Sequence, residues 1–168
     1  MNYQRNCSGC GRLIIFPEHA LTCPCIACGL LNDRIKLQGQ ALEAFQHASE
    51  LRELGDFDNA AKSYRRVLDE FPEDHGAYWE LALCTYHVRY DEDGRTGKCR
   101  PVPGCLQNSP LQEDADYKQA IRLAPEEIGA QYAADAQVID RILSAVRRLM
   151  EEQEPYDLFI CRAGDCWG

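Results

Sequence analysis

Apolar positions recur along this chain with a period that changes near residue 38. From there Ala41, Leu42, Phe45, Ala48, Leu51 and Leu54 fall at steps of three and four, which predicts a helix with one apolar face. Gly55-Asp56-Phe57-Asp58 breaks the pattern, with a glycine where a helix C-terminus favours one. A second stripe follows, through Ala60, Ala61, Tyr64, Val67, Leu68 and Phe71, and Pro72 stops it. Two short amphipathic helices joined this way bury their faces against each other as a helical hairpin.

Gly76-Ala77-Tyr78-Trp79-Glu80-Leu81-Ala82-Leu83-Cys84 reads as a third helix. The pattern is then interrupted. Residues 91–113 carry Gly94, Gly97, Pro101, Pro103, Gly104 and Pro110 among charges, which predicts a long loop. Helical spacing resumes at Asp116–Pro125. From Glu126 to about Glu152 the apolar positions are Ile128, Tyr132, Ala136, Ile139, Ile142, Leu143, Val146, Leu149 and Met150. Pro125 and the acidic pair Glu126-Glu127 suit the start of a long final helix. Its plainest use is to cap the open end of a short helical stack. The seven-residue step Tyr132, Ile139, Val146 offers a second use, as a surface for a partner or a second copy. Tyr78 and Trp79 join that candidate interaction surface.

Ahead of residue 38 the pattern is short and the chemistry is concentrated. Cys7-Ser8-Gly9-Cys10-Gly11 is matched by Cys25-Ile26-Ala27-Cys28-Gly29, and Arg12–Phe16 between them reads as a short strand ended by Pro17. Each pair turns two thiols toward one point, with glycine supplying the backbone freedom of the tight turn. Two such knuckles close a four-cysteine site for one structural zinc ion, with Cys7, Cys10, Cys25 and Cys28 as ligands. Cys23 offers a rival thiol, but Cys25 completes the knuckle with Cys28. His19 lies close enough in sequence to compete. A closed shell of four thiolates leaves no position for water or substrate, so this metal is read as structural. We take 1–36 as a zinc ribbon, 37–153 as a helical domain and 154–168 as a separate tail.

Charge narrows the partners. The 168-residue chain carries a net charge of −9 at pH 7. In the ribbon, Arg5, Arg12, Arg34 and Lys36 face Glu18 and Asp33. A zinc ion with four thiolates adds about −2 to that balance, which argues against nucleic acid. The N-terminus lacks an apolar signal core, no run approaches the ~20 apolar residues of a membrane helix, and the remaining cysteines show no disulfide framework. A cytoplasmic protein with reduced thiols, away from the membrane, is expected. Cys99 and Cys105 share the loop with Lys98 and Arg100, whose charge favours a lowered thiol pKa.

The first hairpin resembles a tetratricopeptide repeat through Ala48, Gly55, Phe57, Ala60, Tyr64 and Pro72, although Ala44 and His47 depart from the family's usual tryptophan and leucine. Tyr78, Leu81 and Ala82 open a second, interrupted copy. The tail segment Tyr156-Asp157-Leu158-Phe159-Ile160-Cys161 resembles the opening strand of a Toll/interleukin-1 receptor (TIR) domain. In this order the chain is similar to the N-terminal half of bacterial TIR-domain proteins, truncated just after the first TIR strand. The resemblance implies a mainly α fold of tetratricopeptide-like hairpins with a long capping helix, behind a small β zinc ribbon. It implies a regulatory or assembly module of a signalling or defence protein. A TIR-type NAD hydrolase is the enzymatic alternative, but the family's catalytic glutamate has no counterpart here. We therefore expect a non-enzymatic interaction scaffold that binds a protein partner or itself.

Overall fold

The computed structural model describes residues 3–18 and 20–152. His19 and the TIR-like segment lie outside the described residues. The architecture is mainly α, with five α-helices and three small two-stranded sheets among the described residues. Strands β1 (Gln4–Asn6) and β2 (Leu13–Ile15) pair antiparallel, as do β3 (Thr22–Pro24) and β4 (Leu31–Asp33). Helices α1 (Gly39–Glu53), α2 (Phe57–Glu70) and α3 (His75–Thr85) follow.

Local chemistry sets the helix ends. Gly55 takes φ +85° after α1 and donates its N–H to the Arg52 carbonyl at 3.0 Å, a conformation open to glycine without the Cβ penalty. Asp56, Asp74 and Asp114 each accept a backbone N–H from the first turn of the next helix, at 3.3, 2.7 and 2.8 Å.

Between α3 and α4 the expected loop at 91–113 is corrected in part. Arg89–Glu92 (β5) pairs with Cys99–Val102 (β6) in an antiparallel hairpin, and Leu111–Glu113 makes one 3₁₀ turn. Composition hid the hairpin because its strands carry charges and Pro101, while its turn is built by Asp93. The Asp93 carboxylate accepts the N–H groups of Arg95 and Thr96 at 2.8 and 3.2 Å, and Gly97 closes the turn at φ +66°. Helices α4 (Ala115–Leu123) and α5 (Glu126–Glu152) complete the described chain.

Helix α3 is apolar all round because it serves two cores. Ala77, Leu81 and Cys84 pack with Phe45, Ala48, Ala60, Tyr64 and Val67 of α1 and α2. Trp79, Ala82 and Leu83 pack with Tyr117, Ile128, Tyr132, Ile139 and Leu143 of α4 and α5. Trp79 stacks on Tyr132 with ring centroids 4.5 Å apart. This corrects the candidate interaction surface: Trp79, Tyr132 and Ile139 are core residues at 4%, 9% and 0% exposure. Helices α4 and α5, with Val88 and Leu111, cover the second face of α3, so Tyr132 and Ile139 of the seven-residue step are consumed inside the chain. Tyr78 is half-buried, and Val146 is exposed.

A buried ion pair joins the helices. Arg52 of α1 places Nε 2.6 Å from the Glu80 carboxylate of α3 and donates Nη1 to the Val88 carbonyl at 3.1 Å. The Nε–H finds no hydrogen-bond geometry, so this contact is Coulombic. Burial alone would lower the Arg52 pKa; Glu80 more than reverses that and holds the guanidinium charged.

The β module docks on the helices through polar contacts. His75 of α3 bridges Asp33 (Nε2–Oδ2, 3.3 Å) and the Tyr132 hydroxyl (3.2 Å from Nδ1). Thr22 donates to Glu127 of α5 at 3.0 Å, while within the module Arg5 donates to the Asp33 carbonyl at 3.1 Å.

Candidate metal centre

The two β-hairpins carry their cysteines in the same local geometry. In the first, Cys7 N–H donates to the Arg12 carbonyl at 2.8 Å and Gly11 N–H to the Cys7 carbonyl at 2.9 Å. In the second, Cys25 N–H donates to the Leu30 carbonyl and Gly29 N–H to the Cys25 carbonyl, both at 2.8 Å. Gly11 and Gly29 take φ +69° and +77°, so both tips need the left-handed conformation that glycine adopts without strain.

The tips bring four sulfurs together. The Cys7–Cys28 and Cys10–Cys25 sulfur pairs are each 3.6 Å apart, and all four sulfurs lie within 4.8 Å of one another. Tetrahedral coordination with metal–sulfur bonds of about 2.3 Å would set sulfurs about 3.8 Å apart. The spacing therefore fits a single four-coordinate ion, and four soft sulfur donors suit zinc or iron over calcium or magnesium. Among the described residues this is the one group of three or more His, Cys, Asp or Glu side chains close enough to share an ion.

Hydrogen-bond donors line one edge of the cluster. Gly9 N–H and the Asn32 side-chain amide point at the Cys7 sulfur, at 3.4 and 3.5 Å. Asn32 is itself pinned: its carbonyl oxygen accepts from Ser8 N–H at 3.0 Å and its amide donates to the Leu30 carbonyl at 2.8 Å. Burial opposes charge at Cys25, but N–H groups of Cys28 and Ala27 and the neighbouring thiols outweigh it and bring Cys25 down to about 7. Burial pushes Cys10 and Cys28 up to about 12, with the other three thiols adding to the rise at Cys10 and Cys7 adding to it at Cys28. A bound cation reverses that repulsion and deprotonates its ligands.

Cys23 stands apart from the four, its thiol turned toward the Ile15 carbonyl. Two residues near the cluster went unrecognised in the sequence. Asn32 is one; a polar residue on a short strand carries no signal of a buried support. Cys99 is the other: the β5–β6 hairpin packs it against the cysteine core, and Sγ would lie 3.5 Å from a Cβ placed on Gly9. Its expected low pKa is reversed, since burial raises the Cys99 thiol despite Lys98 and Arg100. A cavity of about 440 Å³ opens beside it, lined in part by Cys10, Arg52, Arg89, Asp91 and Cys99. No helix among the described residues is long and apolar enough to cross a membrane. Comparisons with protein-family models, curated proteins and solved structures found no match.

Proposed function

We propose that this chain is a non-enzymatic, cytoplasmic interaction scaffold held together by one structural zinc ion. The observation that carries the reading is the compact four-sulfur cluster, in which Cys7, Cys25 and Cys28 are 2–4% exposed. Zinc bound by all four thiolates supplies folding energy to a module whose own core is six buried residues. It leaves no coordination position for substrate. The β module is then a zinc ribbon, and α1–α2 and α3–α4 are tetratricopeptide-like hairpins under α5. Such stacks present surfaces for protein partners.

The partner surface is the distal part of α5. Val146, Leu149 and Met150 are exposed at 38%, 61% and 62%, beyond the last residue of that helix buried in the core. We assign this surface to a protein partner or a second copy, as in the assembly half of a bacterial TIR-domain signalling protein. Native mass spectrometry tests both parts. One zinc per chain, lost when Cys7, Cys10, Cys25 and Cys28 are changed to serine, is expected. A dimer that becomes monomeric on Leu149→Asp and Met150→Asp would select self-association, and a monomer would select a separate protein partner. A metal-free folded chain, or NAD cleavage that disappears on heat denaturation, would overturn the reading.

A further inference from the structure

The zinc site has a weak side. Three of its cysteines are buried, but Cys10 is not, and it lines the open cavity of about 440 Å³. A fifth thiol, Cys99, lines the same cavity, delivered by the β5–β6 hairpin. It packs against the first knuckle at Gly9, the neighbour of Cys10: a Cβ added to Gly9 would meet Cys99 Cβ at 3.3 Å. A larger residue at position 9 would push the hairpin and its thiol away. The same hairpin touches the second knuckle, where Gly97 faces the Ala27 carbonyl. The cavity opens to solvent beside both residues, each of them only half-buried.

We infer that Cys10 and Cys99 form a peroxide-sensitive thiol pair that opens the metal site. The inference rests on the four-thiolate reading of that site. The Cys10 thiolate attacks one oxygen of hydrogen peroxide, displacing hydroxide and leaving a sulfenic acid. The Cys99 thiol then attacks the sulfenic sulfur and expels water. In balance, two thiols and one peroxide give one disulfide and two waters, with two electrons passing from sulfur to oxygen. The metal loses one of four ligands, and the three that remain hold it more weakly. The hairpin that carries Cys99 is then tied covalently to the first knuckle.

The test uses the full chain loaded with zinc and treated with hydrogen peroxide while a chromogenic chelator reports released metal. Cys99→Ser is expected to keep one zinc per chain before oxidation and to release it about tenfold more slowly than wild type. Cys105→Ser, which removes the other thiol of the same connection, is expected to match wild type. Peptide mapping of oxidised wild type, which needs no variant, is expected to show a Cys10–Cys99 disulfide. Equal release from wild type and Cys99→Ser, or any other cysteine pairing, overturns the pair while the zinc reading stands. A wild-type chain without zinc before oxidation overturns both.

Discussion

Replacing Glu80 while leaving Arg52 in place should unfold this protein at a markedly lower temperature. The Arg52 and Glu80 side chains are 4% and 8% exposed, and Glu80 holds the charge opposite the guanidinium. Glu80→Leu leaves a buried cation without a counter-charge, a change that costs about 3–5 kcal/mol. For a chain of this length each kcal/mol shifts the midpoint by about 2–4 °C, so a fall of about 6–20 °C is expected. Arg52→Met should cost less, because the stranded Glu80 carboxylate keeps the Tyr64 hydroxyl as a donor at 3.3 Å. Combining the two should recover most of the loss. What remains is about 1–2 kcal/mol for the Val88 carbonyl, which loses the Arg52 donor at 3.1 Å. The Tyr64 hydroxyl also loses the Glu80 carboxylate as an acceptor at 3.3 Å, a further part of the residual cost, and keeps Ser49 at 3.0 Å. Thermal and urea unfolding of the two single variants and the double variant form one cycle. Additive losses would refute the argument, since they would mean that the two charges do not depend on each other.

Two further outcomes concern the metal centre. Asn32→Ala removes the amide that points at Cys7 and the acceptor that pins Ser8; zinc affinity should fall about 10–100-fold, and an unchanged constant in chelator competition would deny the residue its supporting role. Because Cys10 and Cys28 sit near 12 without metal, zinc must displace both protons at ordinary pH. Affinity should therefore fall at least about 100-fold for each pH unit downward, and more steeply below about 7, where Cys25 also holds its proton. The same competition run between about pH 6 and 8 measures the slope, and a flat profile would contradict it.

Periodicity located the helices well, because α1, α2, α4 and α5 each keep one face in water and so alternate in character. Helix α3 was readable for another reason, as an apolar run from Ala77 to Cys84 broken only by Glu80. The four clustered cysteines were legible because their ligand chemistry is local: each pair is set by its own hairpin, and only the meeting of the two pairs is tertiary. The β5–β6 hairpin was not legible. Its charged strands lack alternation, and the contact that gives Cys99 its place comes from residues about ninety positions away. The seven-residue step in α5 misled for a related reason. A heptad-like spacing marks a face that must be covered, but it does not distinguish a partner's helix from α3 and α4 of the same chain.

The contact between Thr22 and Glu127 spans 105 residues, and it has a consequence during biosynthesis. At about 5–20 residues per second, the N-terminal knuckles leave the ribosome some 5–20 s before the helix on which they dock. Cys99 follows the first knuckle by a similar interval. Through that period the nascent cysteine module lacks the α5 part of its platform, and for most of it the hairpin beside it. On the proposed zinc reading, its early order comes from the metal and from its own turns. Synthesis under zinc starvation should therefore damage this protein at its first thirty residues, before the helical stack has been made.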